Sequence, residues 1–343
     1  MSTTYQVVDR CDFQPGNVID GRYSVKKSLG EGSFGAVYLV EDSRGEKYAL
    51  KLLRLWEVPA EIRQPLMDRF EMEFKTGQID CDNLVRSLSY GIVGGNPYIV
   101  MEYCPGGDLE PLLGKPDSRT IQICQDILVG LNALHDRGKV HRDLKPANLM
   151  IDKDGRIRLL DFGVAHVDRR NGDDMTLTMA GSQIGTGAYM SPEQTMGNEA
   201  TPASDLFSMG IIASEMLLGE NVFRGESLNQ TFQNIRRLKI GRKAFPPGTP
   251  KGLAKLVMQL LEKKPSKRPL SAADVADELS RLMRAYPRDL TPYLAEWVNA
   301  TMRGEKTAIE PKTYPSRCKM TIALTFIFTA AVTAGVYMLL SNF

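Results

Sequence analysis

The sequence predicts an α+β protein of two lobes, strands first and helices second. Three observations predict it. Residues 21–103 carry alternating apolar positions broken by Gly-containing turns. From about residue 118 the apolar spacing becomes helical. The length, 343 residues, fits two units of roughly 150 residues each. A strand-rich part followed by a helix-rich part is the α+β pattern.

Residues 1–20 form an expected N-terminal tail. "YSVKKSL", "AVYLV" and "YALKLL", with "SRG" as a turn, give three antiparallel strands. Residues 61–78 place Ile62, Leu66, Phe70 and Phe74 at helical spacing. "NLVRSLSYG" and "PYIVMEY" give two more strands around the turn "GGN". "RTIQICQDILVGLNALHDRG" is an amphipathic helix ended by Gly138, and further helices are expected near 204–218, 251–263 and 271–285. The lobes are thus expected at 21–103 and 104–286. Residues 287–319, with "LTPYLAEWV" as a helix candidate, form a linking segment.

The formal charge of +2 offers no basic excess, so no nucleic-acid partner is expected. Cys11, Cys81, Cys104, Cys124 and Cys318 are odd in number and lack metal spacing, which fits reduced thiols in a cytosolic compartment. The N-terminal residues show no basic region followed by an apolar core, so no secretory leader is expected. Residues 320–343 contain no charge. About 20 helical residues cross a hydrocarbon core of about 30 Å, so 320–340 is an expected single transmembrane helix. A buried core helix would show a polar stripe, and this segment shows only scattered Thr. Lys312, Arg317 and Lys319 lie just before it and place the preceding chain on the cytoplasmic side.

The chemistry begins with "GEGSFGAV", which sets glycines at 30, 32 and 35. A dinucleotide fold needs a helix after the last of them, but "AVYLV" is strand-like. A P-loop needs Lys and Ser/Thr there, and Ala36 and Val37 stand instead. What remains is a Gly-rich hairpin whose backbone can close over phosphates. Lys51 follows on the third expected strand. Glu71 and Glu73 on the next helix are its candidate partners, and they lie about 200° apart around the axis, so at most one faces inward. "HRDLKPANLM" then brings Asp143, Lys145 and Asn148 together on a loop held by Pro146. "RLLDFGVA" places Asp161 after an apolar strand. Asp143 can accept a hydroxyl proton, Lys145 can meet a transferring phosphoryl group, and Asn148 and Asp161 offer oxygen ligands to Mg²⁺.

Taken together over about residues 20–285, these motifs resemble the protein kinase family in its serine/threonine branch. The matches are Gly30, Gly32, Gly35 and Val37, Lys51, residues 141–148, "DFG" at 161–163, and "SPE" at 191–193 for the family's A-P-E. Lys145 after "HRDL" is similar to the Ser/Thr branch. "GTGAYMSPEQ", "SDLFSMGIIASEML" and "KKPSKRPLSAADVADEL" resemble bacterial receptor-type kinases. "RFEMEF" resembles the family's R-F-x-x-E and favours Glu73. Gly77, one turn later, departs from the family's large apolar residue.

The resemblance implies ATP as phosphoryl donor with Mg²⁺, or Mn²⁺ in its place, and protein Ser/Thr hydroxyls as acceptors. It makes Met101 the gatekeeper, gives Glu102 and Cys104 backbone contacts to adenine, and sets Asp108 near the ribose. Val37, Ala49 and Met150 would sandwich the adenine. Glu193 would pair with Arg268, and Asp205 would hold the catalytic loop. Arg142 would meet a phosphorylated residue between 161 and 193, with Thr176 and Thr178 as the expected sites, Ser182 behind them, and Thr186 left unmodified. Autophosphorylation in trans would make a second copy of the chain a partner. A catalytically dead scaffold of this fold would lack Lys51, Asp143 or Asp161, and all three are present. A small-molecule phosphotransferase would lack "SPE".

Overall fold

The computed structural model describes residues 8–32, 34–113, 120–162, 186–285, 298–300 and 302. The first lobe is an antiparallel sheet of six strands: β1 Val18–Ile19, β2 Tyr23–Gly32, β3 Gly35–Glu41, β4 Lys47–Leu53, β5 Ser87–Val93 and β6 Asn96–Glu102. Their spatial order is β1-β2-β3-β4-β6-β5. Gly94 and Gly95, at φ 52° and 77°, close the β5–β6 hairpin. Two successive positive φ values are what a two-residue hairpin turn requires.

The start of the lobe holds one strand more than the three expected. Val18 and Ile19 pair with Ser24 and Tyr23. Two residues are too few for alternation to register in a sequence. The expected tail is also not free over residues 8–20. The Asp9 N–H donates to the Gly94 carbonyl at 2.8 Å, Phe13 packs edge-on against Tyr38 at 5.9 Å, and Ile19 is fully buried.

Helix α1, Ala60–Thr76, lays Phe70, Glu73 and Thr76 against the sheet. A Cβ built on Gly77 would stand 2.1 Å from Ser87 Oγ. Glycine at this position lets the helix end meet the start of β5, where Ser87 N–H donates to the Gly77 carbonyl at 2.8 Å. No larger side chain fits the approach, which accounts for the departure from the kinase pattern.

The second lobe contains α2 Thr120–His135, a small hairpin of β7 Leu149–Ile151 and β8 Ile157–Leu159, then α3 Pro192–Thr195, α4 Pro202–Leu218, α5 Leu228–Arg237, α6 Lys251–Leu260 and α7 Ala272–Ala285. Helix α4 is buried all round from Ser204 to Leu217, so it forms the centre of the lobe. Helix α5 was not expected. Only Thr231, Phe232 and Ile235 of it are buried, yet Leu228, Phe232 and Ile235 stand at helical spacing, so the segment carries a periodic signal that the expected helices left out. Ser227 caps it by accepting the Gln230 N–H at 3.1 Å.

The chain crosses between lobes after β6 and is stitched to β7. Gly106 N–H donates to Ile151 O at 3.0 Å, and Ile151 N–H to Gly107 O at 2.8 Å. Residues 298–300 are helical, with Val298 and Ala300 buried. A Cβ on Gly106 would lie 2.7 Å from Val298 Cγ2. Part of the expected linking segment therefore packs on the second lobe. Among the described residues, no helix is long and apolar enough to cross a membrane. The expected span 320–340 lies outside the described residues, as do Thr176, Thr178 and Ser182.

Candidate active site

The Gly-rich hairpin forms the roof. Its register sets Gly30 opposite Val37 and Gly32 opposite Gly35. A Cβ on Gly35 would stand 2.6 Å from the Leu52 carbonyl, so this glycine is required by strand contact. Among the described residues a Cβ on Gly30 would meet no atom within 4 Å, and one on Gly32 only the Gly35 carbonyl at 3.9 Å. Those two leave their backbone open to a ligand.

Beneath the roof, Lys51 on β4 stands opposite Val37 on β3 and Ile99 on β6. Its Nζ donates to Glu73 Oε1 at 2.7 Å and to Asp161 Oδ1 at 2.5 Å. Glu71 points away and pairs with Lys75 at 2.6 Å on the surface. The open choice between the two glutamates is decided by which helix face meets the sheet. One ammonium thus serves two carboxylates. Burial pushes the Glu73 carboxyl up, and Lys51 only partly offsets this. Burial also acts on Asp161, but the Lys51 ammonium outweighs it and holds that carboxyl below the ordinary range. Burial would lower Lys51, and the two carboxylates outweigh it and raise it.

The catalytic loop lies on the other lobe. Asp143 Oδ2 accepts from Lys145 Nζ at 2.8 Å and from Asn148 Nδ2 at 3.2 Å. Asn148 Nδ2 also donates to the Asp143 carbonyl at 2.8 Å, and Asn148 O accepts the Leu160 N–H at 2.9 Å. This ties the Asp143 loop to the strand that delivers Asp161. Arg142 and Asp161 sit at φ 70° and 63°, where L-residues are strained. The first is held by Asp205, whose two oxygens accept the His141 N–H at 2.8 Å and the Arg142 N–H at 2.9 Å. The buried His141 ring reaches the Leu160 carbonyl at 3.1 Å and meets Phe162 edge-on. The Arg142 guanidinium has no hydrogen-bond partner among the described residues.

Val37, Ala49, Met101, Cys104 and Met150 belong to one apolar cluster at the lobe junction. Ala49 pairs with Met101 across β4 and β6. Glu102 ends β6, and Asp108 bridges to Met150. Burial pushes the Cys104 thiol up to about 12, so it is an inert wall residue.

Sequence reasoning missed three supports. His135 Nε2 shares Asp205 at 2.8 Å, Gln194 Nε2 donates to the Arg142 carbonyl at 2.8 Å, and Arg158 pairs with Glu102 at 2.7 Å. Their partners lie 70, 52 and 56 residues away, and no local spacing signals such contacts.

Among the described residues no cluster of three or more His, Cys, Asp or Glu side chains could hold a metal unaided. Asp161 and Asn148 nevertheless suit Mg²⁺, which takes one or two carboxylates and completes its shell with phosphate and water oxygens. A Gly-rich hairpin over a Lys–carboxylate relay, facing a loop Asp and Asn across two lobes, defines an enzyme of phosphoryl transfer.

The comparisons give that class its family. The protein kinase domain matches residues 23–278, and the chain belongs to the protein kinase family. It is 35% identical over 274 residues to the serine/threonine-protein kinase pkn2 of Myxococcus xanthus, covering 77% of this chain and 32% of that protein. It is 32% identical over 295 residues to the serine/threonine-protein kinase PknB of Mycobacterium tuberculosis, covering 82% of this chain and 46% of that protein. A probable serine/threonine-protein kinase of Bifidobacterium longum, pknA2, is 29% identical over 287 residues, with 82% and 37% covered. The chain thus spans less than half the length of these relatives.

Proposed function

We propose that this chain transfers the γ-phosphoryl group of ATP to Ser and Thr hydroxyls of proteins, Thr176 and Thr178 of its own chain among them. The observation that carries the reading is Lys51 held between Glu73 at 2.7 Å and Asp161 at 2.5 Å, in the lobe facing Asp143. Membership of the protein kinase family and likeness to bacterial serine/threonine kinases support the acceptor class.

Each residue then has a task. The open backbone at Gly30 and Gly32 receives phosphate oxygens. Lys51, oriented by Glu73, neutralises phosphate charge. Asn148 and Asp161 would hold Mg²⁺ or Mn²⁺, which supplies neutralisation of charge on the phosphate oxygens. Asp143 orients the acceptor hydroxyl and takes its proton, and Lys145, at 2.8 Å from Asp143, meets the phosphoryl oxygens. Val37, Ala49 and Met150 enclose the adenine, with Met101 behind it and backbone groups of Glu102 and Cys104 at its edge. Asp108 lies toward the ribose.

The uncharged run at 320–340 and the basic residues before it support a C-terminal membrane anchor with the kinase lobes on the cytoplasmic side. Modification of one copy by another at the membrane follows from such tethering. The full chain incubated with γ-labelled ATP, Mg²⁺ and a generic protein substrate tests the activity. Label on phosphoserine and phosphothreonine is expected. Its absence, or equal label with Asp143→Asn, overturns the reading.

A further inference from the structure

The hinge carries an ionic tie that the phosphoryl chemistry does not use. Arg158 lies on β8 and pairs with Met150 on β7. Cross-strand partners share a face of the sheet, so Arg158 stands beside the floor of the adenine pocket. Its Nη1 donates to Glu102 Oε2 at 2.7 Å, and its Nε to Asp152 Oδ2 at 2.8 Å. The second Asp152 oxygen accepts the N–H groups of Asp154 and Arg156 at 2.8 and 2.9 Å, which fixes that carboxylate in the β7–β8 turn. The Arg158 side chain is 18% exposed and that of Asp152 7%, so the guanidinium is anchored firmly to the second lobe.

Glu102 is anchored to the first. Its N–H donates to the Arg86 carbonyl at 3.0 Å, and it stands opposite Tyr48 at the end of the sheet. Its carboxylate also receives the Arg86 N–H at 3.4 Å. The Glu102–Arg158 pair therefore spans the lobes at their pivot, on the residue whose backbone would read adenine.

We propose that Arg158 is a positioning residue for the nucleotide: through Glu102 it sets the hinge peptide in register with the Met150 floor. The inference rests on the hinge being the adenine site. Among the described residues Arg158 makes its ion pairs with Glu102 and Asp152 and none with Lys51, Asp143 or Asp161, so its removal should act on adenine binding and leave the phosphoryl-transfer step in place. A planar guanidinium reaches the two carboxylates with separate N–H groups in fixed directions, so Lys, a point charge without that spread, should restore only part of the effect.

The test compares ligands that use the hinge with one that does not, in the full chain. For Arg158→Met, the KM for ATP and the inhibition constant of adenosine should both rise about tenfold, equivalent to losing one good polar contact. The inhibition constant of inorganic tripolyphosphate, and kcat at saturating ATP, should stay within about twofold. Arg158→Lys should fall between, and Glu102→Gln should match Arg158→Met with no further loss in the double variant. An unchanged ATP KM, or an equal rise for tripolyphosphate, overturns the inference. If Arg158→Met does not fold, Glu102→Gln with the same ligands decides it. Adenosine that fails to compete with ATP in the wild-type chain would remove the hinge reading itself, and the inference with it. Competition that is unaltered by the variants removes the inference alone.

Discussion

Glu193 and Arg268, 75 residues apart, form a two-pronged ion pair in the second lobe, at 2.7 and 2.9 Å. The Arg268 side chain is fully buried. Its remaining N–H groups donate to the carbonyls of Glu262, Lys263 and Ala203, and Ser204 Oγ donates to Glu193 at 2.6 Å. The pair ties α3, the first turn of α4 and the segment before α7 into one block under the catalytic loop.

Removing one partner strands the other charge. Arg268→Met should therefore lower stability by about 3–5 kcal/mol, read by urea denaturation at neutral pH. A loss below about 1 kcal/mol would mean that the carboxylate finds water or another donor.

The same pair sets an acid limit. Burial acts to raise the Glu193 carboxyl, but Arg268 and Ser204 outweigh it and hold it at about 2 against an ordinary 4.5. A carboxyl depressed in the folded state adds stability above its unfolded value and loses it as pH falls toward its folded value. Stability should fall between about pH 4.5 and about pH 2, by about 3 kcal/mol from this group. Urea midpoints compared in wild type and Glu193→Gln check it: the variant should lack this part of the acid slope.

Asp205 holds Arg142 at φ 70° through the paired N–H groups of His141 and Arg142. Asn in its place turns one acceptor into a donor facing an N–H. We expect Asp205→Asn to lower kcat by about tenfold or more, the cost of one or more lost charge-assisted hydrogen bonds. The KM for ATP should change little, since the hinge is remote. Steady-state kinetics with both substrates varied would show the split.

Asp143→Asn should lower kcat by about 10²–10⁴-fold, the usual share of a positioned base. Lys51→Met should cost about 10²-fold or more through lost charge neutralisation. Both should keep their near-native circular dichroism. Asp143→Asn protein as fast as wild type would remove the base assignment.

Phosphate on Thr176 or Thr178 is expected in active protein and should be found by mass spectrometry, while Asp143→Asn protein should carry none. Arg142→Ala should lower the activity of phosphorylated protein and leave phosphatase-treated protein unaffected. A bare segment in fully active protein would end the idea.

The span 320–340 should resist alkaline carbonate extraction from membranes. Nine Leu, Ile, Phe or Val residues stand between Ile322 and Leu340. They contribute about −3 to −5 kcal/mol toward insertion, and each central Arg opposes it by about 2.5–3.5 kcal/mol. Arg at both Ala331 and Ala334 should release the chain, and Ala331→Leu should not.

Short local motifs mark out the groups proposed to do the chemistry. Gly30, Gly32, Lys51, Asp143, Asn148 and Asp161 sit in short motifs whose spacing constrains them, and each motif can be read within about ten residues. The strands and most helices were legible for the same reason, since alternation and helical spacing are local. What each charge meets is set by the folding of distant segments together. Glu73 rather than Glu71 reaches Lys51 because of the helix face that docks on the sheet. Gly77 is glycine because Ser87 arrives beside it. Strand β1 gained its place from pairing that two residues barely announce, whereas helix α5 was legible in Leu228, Phe232 and Ile235 at helical spacing and was not among the expected helices. Asp205 beneath the catalytic loop resembled its counterpart in the kinase pattern, but His135 sharing it and Arg158 on the hinge had no such guide. An ion pair needs two side chains within a few ångströms, and across tens of residues only the folded chain settles which two those are.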